Sequence, residues 1–489
     1  MKFDSISILN RRRFLQGAAS LAGGAVLATS SSTLTALTAF AQDPPSGCPA
    51  PPTGGTHFVP GSDTRPIVLR KSISALSAAE LTKLQSAYAA LRALPASDKR
   101  TWVLQADMHA LFCDSCNNLN TDIHGSWSFF PWHRGYLYYY ERILGKLVGD
   151  MDHFRLPYWD WENIRTLPTP YRSPGSSGNS LWDNKRRPGL AGGGNLPVAD
   201  GTTARITTLY GLTDFDSFGG DASGGGAVEA NPHGTIHVDV GQAANPFEDM
   251  GNLGYAARDP LFFAHHGNID KLWSGWNDLA SGAGTSYKNP TSSTFLNLRW
   301  SFYDENQNVV SISAADVLDH KDNLRYIYKS PRFVIPPLWL ILQCELICCL
   351  PDPDPGPWLR VTEQVRETVI QTARASSPVV LVLRGVTLPS GISGNFDVFA
   401  TRGERRILVG SIGVIAHGDR KEQHAHKPVT LVLDITEAAP DLFLKDKPAT
   451  LHAYRRIEDQ KPGITAKAQK LEEVFQLKAE RAEIRVAKR

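Results

Sequence analysis

Asn231-Pro232-His233-Gly234-Thr235-Ile236-His237 and, further on, Asp259-Pro260-Leu261-Phe262-Phe263-Ala264-His265-His266-Gly267-Asn268-Ile269-Asp270 decide how this chain is read. The first stretch opens with a helix-capping residue and a proline suited to the first helical position. It therefore predicts a helix on which His233 and His237 are one turn apart. That spacing puts both imidazoles on one face, able to share a metal. The second stretch predicts another helix, capped by Asp259, with His266 on the face of Phe262, Phe263, Ile269, Asp270 and Trp273. Asp270, one turn after His266, is expected to orient an imidazole as a hydrogen-bond acceptor.

Working outward, His109, His124 and His133 form an earlier group. His133 sits in Phe129-Phe130-Pro131-Trp132-His133-Arg134, where Pro131 suits a helix start and Leu137, Tyr140 and Leu144 continue an apolar stripe. A single histidine on an apolar face is usually a satisfied core residue, and one H-x-x-x-H pair weighs evenly either way. Three such segments, all ringed by aromatics, are not explained by packing, because each buried imidazole must be satisfied. The motifs offer imidazoles and almost no carboxylates, and H-E-x-x-H is absent. That donor set suits copper or zinc and argues against di-iron and hydrolytic two-metal sites, hence against a zinc hydrolase. Two sets of three ligands leave each metal an open position. A metal pair so held can clamp a small ligand, which for a redox-active metal is O2.

The remaining sequence sets the frame. A length of 489 residues is ample for two or three domains. With 51 basic against 49 acidic residues the net charge is +2, which gives no reason to expect nucleic acid or an anionic membrane as partner. Asn10-Arg11-Arg12-Arg13-Phe14-Leu15-Gln16, an Ala/Gly/Leu run and Ala39-Phe40-Ala41 resemble a twin-arginine signal peptide. It predicts export to the periplasm or outside, with a mature chain beginning near Gln42. Cys48, Cys113, Cys116, Cys344, Cys348 and Cys349 are too few and too clustered for a disulfide scaffold. The apolar run from Val334 to Leu350 is broken by Pro336, Pro337, Gln343 and Glu345 and is not expected to span a membrane. Ser77-Ala78-Ala79-Glu80 is a capping box before a helix. Residues 172–228 read as long irregular loops, with Gly219, Gly220, Gly224, Gly225 and Gly226 as a flexible segment. Beyond a proline-rich linker, Val379–Leu383, Phe396–Phe399, Ile407–Ile415, Val429–Ile435 and Thr450–Tyr454 read as strands of an all-β domain.

The histidine segments resemble the two copper-binding signatures of the tyrosinase, catechol oxidase and hemocyanin family, most of all those of plant polyphenol oxidases. Leu156-Pro157-Tyr158-Trp159-Asp160-Trp161, Met250-Gly251-Asn252, Tyr326-Ile327-Tyr328 and Gly394-Asn395-Phe396-Asp397-Val398 carry the likeness further. The resemblance implies a mainly α catalytic domain, a four-helix-bundle dicopper core with long loops, followed by a smaller all-β C-terminal domain covering the site. The expected boundaries are a signal peptide at 1–41, the catalytic domain at 42–330, a linker at 331–360 and the C-terminal domain at 361–489. The resemblance implies a binuclear type 3 site. One copper falls to His109, His124 and His133, and the other to His233, His237 and His266, with His265 a neighbour.

Carried over residue by residue, Cys113 stands where family members have a cysteine bonded through sulfur to the second histidine, here His124. Cys113 paired with Cys116, or Cys116 with Cys48, is the alternative use of these thiols. The chain departs from the plant pattern at Ala110, where plant members have a cysteine. Glu229, four before His233, matches a glutamate that holds a water near the second copper. Gly234 stands where many monophenol-hydroxylating members have asparagine, and Leu253 where plant members often have phenylalanine. The implied function is copper-dependent oxidation of o-diphenols to o-quinones with O2, together with monophenol hydroxylation. A diphenol-only catechol oxidase and a hemocyanin-like O2 carrier are the alternatives. The implied partners are phenolic small molecules, O2 and a copper-loading protein.

Overall fold

The computed structural model describes residues 49–113, 122–175, 178–197, 200–241, 249–279, 287–329, 339–347, 358–390, 392–417, 426–446, 448–456 and 474–487. The expected signal peptide, Cys48, Cys116, Cys348 and Cys349 lie outside them. Among the described residues no helix is long and apolar enough to cross a membrane.

The first part is helical. Ala78–Arg92 starts at the predicted capping box: the Ser77 hydroxyl accepts from the Glu80 N–H, and the Glu80 carboxylate accepts from the Ser77 N–H at 2.8 Å. The histidine-bearing helices are Trp102–Phe112, Phe129–Leu147, the short Thr235–Val240 and Leu261–Asp278. Phe129–Leu147 is buried over most of its length and packs on Leu261–Asp278, with the Tyr140 and Phe263 rings stacked at 3.5 Å between centroids. Two three-residue strands from the beginning and end of this part meet: Val68–Arg70 pairs in parallel with Tyr326–Tyr328.

Residues 172–228 are more ordered than expected. They hold the helices Pro188–Ala191, Thr203–Tyr210 and Phe215–Phe218, the last two capped by the side chains of Thr202 and Asp214. The glycine run is a tightly packed turn and not a flexible segment. A Cβ on Gly226 would lie 2.4 Å from the Phe218 carbonyl oxygen, so only glycine permits that approach.

The C-terminal part is β-rich, with two antiparallel sheets around one core. The first runs in the order Val429–Asp434, Val379–Val386, Arg481–Ala487, Trp339–Ile347, Trp358–Arg360. The second runs Arg405–Val414, Gly394–Arg402, Thr450–Arg455, Val474–Gln476. All five predicted strands are present. Two features differ from the expectation. The helix Glu363–Arg374 joins the sheets through Val369, so the part is not purely β. The expected linker holds the strand Trp339–Ile347, which pairs with the chain's last strand through Leu342↔Ile484 and Cys344↔Ala482. Its prolines only flank it, leaving its N–H groups free to pair.

The two parts share a core. On Val379–Val386, the residues Val379, Leu381 and Leu383 face the β core, while Val380 and Val382 join the core of the helical part. Val432 and Ile415 do the same. The strands Val379–Val386 and Val429–Asp434 are therefore buried on both faces, which is why they read as continuous apolar runs, whereas Leu340 and Ile341 of the same sheet are exposed.

Candidate metal centre

Six of the predicted histidines converge in two buried groups. His109 comes from Trp102–Phe112, His133 from Phe129–Leu147, and His124 from the non-helical stretch before it. Their ligating atoms lie within 4.8 Å of one another. The second group is His233, His237, His265 and His266, to the same tolerance. Asn231 is non-helical at φ −159°, ψ 118°, and the chain turns into helix after it, which brings His233 beside His237. Contrary to the expected cap, no side-chain capping bond is made there, and the Asn231 amide donates to the Ser411 hydroxyl at 2.7 Å. Their ring centroids are 4.6 Å apart. The groups face each other: His133 stacks on His266 at 4.3 Å, and His124 lies 5.8 Å from His233.

The backbone orients four of these rings. The Nδ1 atoms of His109, His133, His233 and His237 meet the carbonyls of Leu253 at 2.9 Å, Phe129 at 2.7 Å, Glu229 at 3.3 Å and Met250 at 2.8 Å. A carbonyl can only accept, so each Nδ1 carries the proton and each Nε2 presents a lone pair. The Nε2 atoms of His109, His133 and His233 are buried with no hydrogen-bond partner, as are both ring nitrogens of His124. His237 Nε2 and His266 Nε2 face each other at 3.1 Å. Burial holds all six imidazoles below the ordinary histidine range, His133 to about 3 and His237 to about 4, so they are neutral at physiological pH. Neutral, preoriented, unpartnered lone pairs with no carboxylate among them fit a soft-to-borderline cation, copper or zinc.

His265 is brought into the second group as well. It stacks on His233 at 5.6 Å and faces Trp161 at 6.3 Å, whereas His266 touches the first group.

Asp270 does not orient an imidazole. Its Oδ1 accepts from Arg134 Nε at 2.6 Å, and its Oδ2 accepts from Tyr326 at 2.6 Å, Tyr328 at 2.7 Å and Arg70 Nη1 at 3.2 Å. Arg70 also bonds Glu141 at 2.9 Å. Burial pushes the Asp270 carboxyl up, but Arg134 and Arg70 outweigh it and hold it at about 2. The Tyr326-Ile327-Tyr328 motif thus serves to close an ionic lock behind the metal centre.

A pocket lies on the opposite side, over His124 and His233. Its walls are Asp122, Gly125, Glu229, Gly234 and Leu253 from the helical part. From the C-terminal part come Ile412, Gly413, Val414, Ile415, His417, His426 and Lys427. Glu229 Oε1 accepts from the Gly125 N–H at 2.7 Å, and its Oε2 is buried without a partner. Burial pushes this carboxyl up to about 8. A Cβ on Gly234 would lie 2.6 Å from the Gly413 carbonyl oxygen, so no side chain fits at 234 while that strand is in place. Leu253 is buried and lines the pocket, and its carbonyl holds His109. Cys113 is buried, with Sγ 3.4 Å from that same carbonyl. Sequence reasoning quoted Met250 without seeing its carbonyl's role, and gave no sign of Gly413 or Lys427.

A helical core presenting two histidine groups, closed by a β-rich part, defines a type 3 copper protein architecture. Residues 99–195 and 179–279 match the common central domain of tyrosinase, and residues 289–340 match the polyphenol oxidase middle domain. The chain belongs to the tyrosinase family, for which copper is the implied metal. The chloroplastic polyphenol oxidase of Malus domestica is 35% identical over 319 residues, covering 58% of this chain and 52% of that protein. The chain spans about half the length of the curated relatives it matches. Among solved structures, Grenache (Vitis vinifera) polyphenol oxidase is 32% identical with a TM-score of 0.52, covering 59% of this chain and 93% of that one. Latent apple tyrosinase shares the fold over 88% of this chain and 98% of its own, with a TM-score of 0.60 at 23% identity.

Proposed function

We propose that this protein is a dicopper phenol oxidase that uses O2 to convert o-diphenols to o-quinones. The observation that carries the reading is the pair of facing, buried imidazole groups, in which the Nε2 atoms of His109, His124, His133 and His233 have no hydrogen-bond partner and those of His237 and His266 meet only each other. His109, His124 and His133 would hold one copper, and His233, His237 and His266 the other. Bound there, the copper pair supplies the two-electron chemistry with O2. The chain's own residues do the rest. The pocket over His124 and His233 admits a phenol ring beside Leu253 and Ile415. Glu229, held by the Gly125 N–H, takes the phenolic proton on its second oxygen. Cys113 is bonded through sulfur to His124, fixing that ring where no hydrogen bond does. Forming that bond takes the thiol hydrogen and one ring C–H hydrogen, a two-electron oxidation for which O2 would be the acceptor, and the link shows as a cross-linked peptide in a digest.

Monophenol hydroxylation is the finer activity. A diphenol-only enzyme is the second reading, favoured by Gly234: with Gly413 against it, no side-chain amide can join Glu229 in orienting a water. The first 41 residues act as a twin-arginine export signal, in keeping with relatives whose names mark them as targeted to chloroplasts.

Oxygen uptake by the copper-loaded protein, with a catechol and separately with a monophenol, tests the oxidase reading. Uptake with both supports oxidation and hydroxylation. Uptake with catechol alone selects the diphenol-only reading. A protein that binds copper and O2 reversibly and consumes neither substrate is a carrier, and the oxidase reading falls.

A further inference from the structure

The C-terminal part reaches past the pocket mouth to the groups that aim the imidazoles. Leu253 donates its N–H to the Ala416 carbonyl at 2.7 Å, and Ala416 donates to Gly251 at 3.3 Å. This backbone bridge clamps the turn whose Met250 and Leu253 carbonyls hold His237 and His109. A second clamp grips the helix Thr235–Val240. Asn395 donates from Nδ2 to the Thr235 carbonyl at 3.1 Å and to Asp239 Oδ1 at 2.7 Å. Arg456, 6% exposed, donates from Nη1 to the same Asp239 oxygen at 2.9 Å and to Asp200 Oδ2 at 2.6 Å. Its Nη2 bonds Asp397 Oδ1 at 2.8 Å.

Thr235 and Asp239 stand two residues either side of His237, on a helix of six residues. A helix this short has no stability of its own, so its position is set by what grips it. Asp200 and Asp239 are both fully buried, and among the described residues Arg456 is the cation that bonds to the two of them. Taking the guanidinium away leaves two buried carboxylates facing each other.

We propose that Asn395 and Arg456, with the backbone of Ala416, are positioning residues for His237 and His109. The C-terminal part then helps to aim the imidazoles as well as covering the pocket. This rests on the dicopper reading above.

The test uses the full-length, copper-loaded chain. Copper per chain and the rate of copper loss to a chelator are measured for the unchanged protein, Arg456→Met, Arg456→Lys and Asn395→Ala, alongside the urea midpoint of each metal-free form. Arg456→Met should lose one of its two coppers about 10- to 100-fold faster, the usual effect of removing a group that orients a ligand. Arg456→Lys should restore part of that retention, and Asn395→Ala should shift it in the same direction by less. If Arg456→Met does not fold, Asn395→Ala decides the matter. Variants that hold two coppers at the unchanged rate, with only the urea midpoint lowered, overturn the proposal. An unchanged protein that binds no copper overturns the dicopper reading instead.

Discussion

The two sides of the histidine cluster are built from different materials. Behind it, Asp270, Arg134, Arg70 and Glu141 form a buried ionic lock in which both Asp270 oxygens are bonded and two tyrosine hydroxyls complete the set. In front, the contacts over the pocket are backbone on backbone, Gly234 against Gly413 and Leu253 against Ala416, while the buried Arg456, Asp239 and Asp200 cluster grips the helix Thr235–Val240. A charge buried without its partner is far costlier than a displaced backbone contact. The lock at the back should therefore weigh most on folding, and the backbone contacts over the pocket should determine what reaches the metals.

The sharpest way to break this contrast is Asp270→Asn. It keeps the shape but strands Arg134 in the interior and leaves Arg70 with Glu141 as its carboxylate partner, and should cost about 3–5 kcal/mol in urea unfolding. The sign with pH is fixed as well. A carboxyl held at about 2 when folded, against roughly 3.9 when unfolded, contributes stability that is whole above that unfolded value and is lost as pH falls toward 2. The variant should lack this part of the acid limb. A loss under about 1 kcal/mol would mean the lock is not what holds the back.

On the front, Glu229→Gln should leave folding nearly untouched and lower kcat on phenols by at least about 10²-fold, the ordinary scale for a positioned base. With the carboxyl pushed up to about 8, its carboxylate form grows as pH rises through that value. The rate of the unchanged enzyme should climb there, and that climb should vanish in the variant. A rate profile identical in both would remove Glu229 from the chemistry.

How far the sequence could carry this contrast depends on the range of the interaction. The helices and their histidines were legible because caps, prolines and i,i+4 spacing are local: Ser77-Ala78-Ala79-Glu80 and Asn231-Pro232-His233 each announce their own geometry. Asp270 was misassigned because its one-turn offset from His266 says nothing of Arg70, which comes from 200 positions away along the chain. The strand Trp339–Ile347 was hidden by flanking prolines, since its partner is the chain's last strand. Gly413 and Arg456 carried no local signal, because their meaning lies in what they meet across the interface between the two parts. The continuous apolar run Val379–Leu383 did hold a clue: a strand apolar on both faces needs a second core, and the helical part supplies it.

Gly234→Asn is the smaller and more telling change. It adds the amide that hydroxylating relatives are expected to carry, but its Cβ alone would sit 2.6 Å from the Gly413 carbonyl. Either that strand moves or the Thr235–Val240 helix does, and overpacking of this kind costs about 1–3 kcal/mol. If the strand gives way, amides of Ile412 and Val414 exchange faster with solvent and phenol oxidation rises without any other treatment. If the helix gives way, copper retention falls along with activity. The first result would make glycine at 234 a condition of closure, so that the chain has traded a water-orienting side chain for a tight cover. The second would mean that the front is as rigid as the back, and the contrast between them would dissolve.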